Sequence, residues 1–254
     1  RDKSSLLEAP LMDYDVGTDI GNFYQGGKLT SDSTILTSEY GTYYQQQKVA
    51  IFKKNVVLVH PDYTMTADSM KYDTKTKVAY FISPTTIITK EDTIFTSSGY
   101  FDTGKNKANF GNRPLVKKGK ENTLQADNLD YDKASGKGFA SGNVVSKNTK
   151  DRVTLLSGKV YYADSTDYVR STENPLMIKE GEKDTLYLSA DTLISFKEYL
   201  KDSSGQILDS IKIFYGHKNV KTIQGEMSGI CDSIYFSGQD SIFRLFYDPY
   251  LWMD

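Results

Sequence analysis

The residues best placed to do chemistry are four aspartates that return at one position of a repeated phrase. Asp68, Asp127, Asp191 and Asp232 each follow a small residue, as Ala67-Asp68, Ala126-Asp127, Ala190-Asp191 and Cys231-Asp232. Carboxylates stacked rung on rung would suit Ca²⁺ or a paired acid and base. The intervening copies carry Glu39, Ser98 and Gly158 there, which breaks the ladder. A short acceptor that takes backbone N–H bonds at a kink or bulge accounts for the aspartates with neither metal nor reaction. Other reactive residues are sparse. His60 and His217 lie far apart, Cys231 is the single cysteine, and no nucleophile elbow, P-loop or dinucleotide fingerprint occurs. The expectation is a non-enzyme with no catalytic residues, no cofactor and no metal site.

The phrase around the aspartates is itself the stronger signal. Ala67–Asp73 reads ADSMKYD and Ala126–Asp132 reads ADNLDYD, while Ser38–Tyr43 and Ser97–Asp102 are looser copies between and before them. Phe52, Phe81 and Phe110 are each 29 apart, as are Ala50, Ala79 and Ala108. Tyr14, Tyr43, Tyr72, Phe101, Tyr131 and Tyr161 step by 29 or 30. A second marker closes several units, as Asn55-Val56, Asn143-Val144, Asn174-Pro175 and Asn219-Val220. Asp191 and Asp232 are 41 apart (232 − 191) rather than about 30, so Lys197 to Ser210 reads as an insertion, expected to protrude as a loop or hairpin.

Such repeats must be built from strands. Tyr, Phe, Val, Ile and Thr dominate, apolar residues alternate as in Met70/Tyr72, Ala79/Phe81 and Val56/Leu58, and no segment holds a helical period for three turns. Tyr72–Lys77, Phe101–Lys107 and Tyr131–Lys137 are Asp- and Gly- or Lys-rich joints that reverse the chain, so neighbouring strands are expected to be antiparallel. The predicted fold is all-β: an elongated, rolled antiparallel jellyroll growing by one rung per repeat, with residues 1–254 as a single repeat-built domain. A parallel β-helix is the rival architecture. Net charge is −2 and no polybasic run exists, which argues against nucleic acid or an electrostatic membrane tether. No stretch approaches the roughly 20 apolar residues of a spanning helix. Arg1, in place of an initiator methionine, reads as the start of a processed or trimmed fragment of a longer chain.

The recurring ADxLxYD, KAxFxGNV and SxxGxY units, with the closing Tyr247-Asp248-Pro249-Tyr250-Leu251-Trp252, resemble the OstA-like family of lipopolysaccharide-transport proteins. That family includes the LptA and LptC types and the N-terminal domain of LptD, and the likeness is nearest to the large OstA-like proteins of Bacteroidetes-type bacteria. The resemblance spans about Leu11 to Asp254. It implies a V-shaped β-jellyroll in the periplasm or at the outer membrane, an apolar groove for the acyl chains of lipopolysaccharide or lipid A, and edge-strand stacking with other OstA-like or Lpt-type domains. Departures are the insertion and the pair Gly138/Ala140, where earlier units carry Ala and Phe.

Physical reasoning supports the same groove. Each CH₂ exposed to water costs about 0.8 kcal/mol, so an acyl chain crossing an aqueous space needs a continuous apolar wall. The candidate wall is three columns: Phe52, Phe81 and Phe110; Met70, Leu129 and Leu193; and Val56, Ile87 and Leu176, with Leu58 beside them. The same residues also suit a closed core. If the groove is open, a charge at Phe81 or Phe110 leaves the protein folded. Nineteen tyrosines offer a second class of function, a carbohydrate-binding module with aromatic platforms, and a solid interior offers a third, a purely structural scaffold of the cell envelope. Unpaired terminal strands, especially Ile242 to Tyr247, are expected to associate head to tail.

Overall fold

The computed structural model describes residues 5–253, which form twenty-six strands and one 3-10 turn at Asp164–Thr166. The pairings described are antiparallel, which sets the parallel β-helix aside. Sequence periodicity runs on through the chain, whereas packing divides it into two compact units. The first holds the described residues up to Lys120 with Asn128–Ala134; the second holds Glu121–Asp127 with Ser135 onward.

Within each unit the sheet folds over on itself at regularly placed corners. In the first, Val49–His60 pairs with Tyr63–Asp73 along its whole length, but the register breaks between Lys53 and Val56. Before the break Val49–Lys53 lies against Tyr40–Tyr44; after it, Val57–Val59 lies against Ile35–Thr37. One strand thus serves two walls. The break falls on Lys54 and Asn55, both left-handed with φ of 65° and 53°. Asn112 and Arg113 make the same corner in the first unit, and Gly142-Asn143, Glu173-Asn174 and Lys218-Asn219 make it in the second. Asparagine recurs because it tolerates positive φ better than other residues with a Cβ. The residue after each corner, Val56, Pro114, Val144, Pro175 or Val220, turns back into the buried interior.

Aspartates build the turns at the other ends of the walls. Asp73 Oδ1 accepts the N–H groups of Lys75 and Thr76 at 2.9 and 2.8 Å, and Asp102 and Asp132 cap their turns in the same way. In the second unit, Thr192–Lys201 and Ile207–Gln224 pair outward as far as Lys201 opposite Ile207, with a register shift after Leu200, so Lys197 to Ser210 forms the extension of a hairpin. Its turn is held by Asp202 Oδ1, which accepts from the N–H groups of Ser204 and Gln206.

Candidate lipid-binding interior

In the first unit, residues one repeat apart become next-but-one neighbours, and the strand between them brings a residue of complementary size. One inward row runs Gly21, Tyr43, Ala50, Tyr72, Ala79, Phe101, Ala108, Tyr131, each opposite the next. The tyrosine and alanine columns of the sequence interleave into this single row. A second row on the same wall runs Phe23, Gly41, Phe52, Met70, Phe81, Gly99, Phe110, Leu129. Gly41 must lack a side chain, because a Cβ there would lie 2.2 Å from Phe23 Cζ. The facing wall supplies Leu29, Leu36, Leu58, Met65, Ile87 and Ile94, again in register.

These rows meet and close. Phe52 is 0%, Phe110 2% and Phe81 5% exposed, and the rings of Phe81 and Phe110 stack at 5.9 Å. At the far ends of the walls, Tyr63 packs against Phe101 of the opposite wall at 4.7 Å and stacks on His60 at 4.5 Å. Two ion pairs span the same mouth, Lys77 to Asp32 and Lys133 to Asp62, the latter 3.0 Å long. Burial pushes the Tyr63 phenol above its ordinary range and the His60 imidazole below its own. The hydrogen bond from Lys133 holds the Asp62 carboxyl below the usual carboxylate range.

The second unit is looser. Its inward row reads Ala140, Val160, Ser171, Leu193, Gly216, Ile234, Leu245, without a single aromatic ring. The facing row holds Leu155, Met177, Leu188, Thr222 and Gly229. Its buried cluster is small, made of Leu188, Ala190, Leu193, Val220, Cys231 and Ile234, and Leu155, Met177, Phe214 and Leu245 cover it while only partly buried. The Cys231 thiol donates to Ser233 O and burial pushes it up, away from reactivity.

The aspartate column belongs to the corners. Asn143 Nδ2 donates to Asp127 Oδ2 at 2.8 Å, Asn219 Nδ2 to both carboxylate oxygens of Asp191, and Asn55 Nδ2 to Glu39 Oε1. Asn112 Nδ2 reaches Ser97 Oγ, so Ser97 and not Ser98 holds this place in its repeat. Backbone N–H groups of this column donate back across the corner as well, Glu39 to Lys54 O, Asp127 to Gly142 O, Asp191 to Lys218 O and Asp232 to Tyr247 O. At Glu39, Asp127 and Asp191 the carboxylate thus accepts asparagine side-chain N–H groups, where backbone donors were expected, while Asp68 and Asp232 each accept the hydroxyl of the serine that follows. Lys54 adds an ion pair to Glu39 and, with Asn55, holds that carboxyl below its ordinary range. The alternation of Ala-Asp with Ser-x copies has a local meaning too: Ser38, Thr96 and Ser157 donate to the carbonyl two residues on, a bond the alanine copies lack.

Residues 1–68 and 64–119 match the family described as OstA-like protein. This stretch is OstA-like. The asparagine corners at 143, 174 and 219 carry the same repeat through the remainder of the chain. No curated protein matches the chain. Among solved structures, LptH of Pseudomonas aeruginosa, described as the LptA-homologous periplasmic component of the lipopolysaccharide transport device, is 14% identical over 52% of this chain and 94% of its own, with a TM-score of 0.41.

Phe52, Met70, Phe81, Phe110 and Leu129 lie in one row of the first unit rather than in two separate columns. Leu58 and Ile87 lie on its facing wall, Val56 starts that wall at the corner, and Leu193 belongs to the second unit. Leu176 differs. It sits opposite Leu156, on the other face from Leu155, Met177 and Leu188, because Pro175 is the first inward residue after the corner and alternation then places Met177 inward. Tyr161 is likewise opposite Phe139 on the outer side, and Tyr162, opposite Gly138, is the inward ring. Tyr63, His60 and the ion pairs across the mouth gave no periodic signal. Counting alternate residues from the one that follows each corner asparagine, here Pro175, would have found Met177.

Proposed function

We propose that this OstA-like chain is a lipopolysaccharide-transport protein of the Gram-negative cell envelope, a periplasmic carrier that shelters acyl chains inside its rolled sheet. The observation that carries the reading is the pair of facing inward rows, apolar and in register from strand to strand. The second unit is the better host, since Leu155, Met177, Phe214 and Leu245 cover its buried cluster while only partly buried, whereas the first would have to part Tyr63 from Phe101 to admit a chain. The ten residues Phe52, Val56, Leu58, Met70, Phe81, Ile87, Phe110, Leu129, Leu176 and Leu193 are then reassigned: Leu193, with Met177 in place of Leu176, lines the host, and those of the first unit pack its closed interior. Each methylene sheltered contributes about 0.8 kcal/mol, so a few partly buried rungs suffice to hold one chain.

Lipopolysaccharide titrated into the purified chain should quench the tyrosine and tryptophan emission and co-purify on gel filtration. Absence of bound lipid, both from native envelope extracts and after titration, would leave the structural-scaffold reading, which the solid interior of the first unit favours for that half. The strand Ile242–Phe246 pairs on one side with Met227–Ser237, and we assign its other side to a further OstA-like domain or a second copy of this chain. Sedimentation of Phe243→Pro with Leu245→Lys should show less association than the parent. A monomer at all concentrations for the parent removes self-association.

A further inference from the structure

The first unit fills its interior by setting large residues against small ones; the second sets a hydroxyl where that packing would call for a methyl or a ring. Ser171 lies on the inward row between Val160 and Leu193, is 0% exposed, and its Oγ has no hydrogen-bond partner. It is unlike the corner serine Ser157, whose hydroxyl reaches the carbonyl oxygens of Lys159 and Thr172 at 2.9 and 2.6 Å. A strand directs successive side chains to opposite faces, so Ser171 points into the roll. An orphaned buried hydroxyl is destabilising, and alanine, which fills the equivalent inward row at Ala140, would avoid that cost. The buried cluster that holds its strand partner Leu193 is covered by side chains that are only partly buried, Leu155 and Met177 among them.

We infer that Ser171 is a polar anchor in the second unit, donating a hydrogen bond to an oxygen carried part-way along a guest acyl chain, such as a hydroxyl or an ester carbonyl. The inference rests on the carrier reading and adds a preference to it. A plain hydrocarbon chain would leave the hydroxyl orphaned, while an oxygenated one satisfies it and is held at a fixed depth.

Displacement of a fluorescent acyl probe from the full chain by tetradecanoic acid and by 3-hydroxytetradecanoic acid tests this. The parent should prefer the hydroxy acid by about two- to tenfold, the worth of one hydrogen bond. Ser171→Ala should bind both acids alike, keep its affinity for the plain acid, and melt no lower than the parent. Equal binding of the two acids by the parent, or a preference that survives in Ser171→Ala, overturns the anchor and leaves the carrier standing. Failure of either acid to displace the probe removes the guest chain itself, and the carrier reading falls with it.

Discussion

Replacing Phe110 with aspartate should unfold the first unit. Phe110 lies 2% exposed between Gly99 and Leu129 and stacks on Phe81, and Gly99 cannot yield, since even a Cβ there would lie 2.1 Å from Asn109 O. Removing a buried phenyl ring costs about 3–5 kcal/mol. A carboxylate left without a partner in that space adds several more, directly or through the proton it must take up. The sum is comparable to the whole stability of a domain, about 5–15 kcal/mol. Met177→Asp in the second unit is the matched control: its site is partly buried, the charge can hydrate, and the unit should stay folded with a lowered melting point. Hydrogen exchange followed by mass spectrometry reads both variants strand by strand. Phe110→Asp should strip protection from Lys107–Gly111 and Asn128–Asp132, together with loss of strand circular dichroism. Protection retained in those strands would mean that water reaches Phe110, and the closed packing argued for the first unit would be wrong.

Other consequences are smaller and separable. Asn143→Ala should cost about 1–2 kcal/mol, through the lost bond to Asp127 and a left-handed backbone that alanine resists, and a double-mutant cycle with Asp127→Ala in urea should return a coupling of about 0.5–1.5 kcal/mol. His60 is held below its ordinary pKa in the fold, with Asp62 and Lys133 the charges beside it, so the unfolded chain takes the proton first. Its contribution is therefore full above about pH 6.5 and declines as pH falls below that; His60→Phe, which keeps the stack on Tyr63, should flatten the melting temperature between pH 7 and 5. Asp62, lowered by Lys133, adds a contribution present above the ordinary carboxylate range and lost as pH falls through its folded value, so the parent should lose stability in two successive steps. Shortening the hairpin between Tyr199 and Ser210 to a two-residue turn should leave melting within a few degrees, since the strand pairs removed are those of the hairpin with itself; aggregation of that variant would show that the hairpin covers the roll.

The repeat, the all-β class and the antiparallel order were legible in the sequence because each rests on a local rule: alternation within a strand, aspartate at a turn, asparagine at a left-handed corner. The inward positions were legible wherever the count began at a corner, as at Val56 and Leu58, and slipped by one where it did not, as at Leu176 and Tyr161. A period of 2 gives no tolerance for such a slip, since one residue exchanges inside for outside. Closure of the first unit was not legible at all. It depends on Tyr63 meeting Phe101, and on Asp32 and Asp62 meeting Lys77 and Lys133, contacts between residues far apart in sequence that the period of the repeat does not pair.

The two units show how one repeat can pack closely or more loosely. Closure in the first follows from the interleaving of large and small residues: Tyr72 stands between Ala50 and Ala79, and Phe101 between Ala79 and Ala108, so every ring has a recess beside it. In the second the equivalent row runs Gly138, Tyr162, Val169, Ser195, Phe214, Phe236, and the alternation is lost. Val169 and Ser195 adjoin where a ring and a recess would be, and Phe214 and Phe236 adjoin with no recess between them. Rings in sequence crowd each other outward, and Phe214 is only partly buried. The corners, which fix the backbone, are the same in both. What separates the closely packed unit from the looser one is then the order of side-chain sizes along a row, a property that changes by substitution without altering a single backbone hydrogen bond.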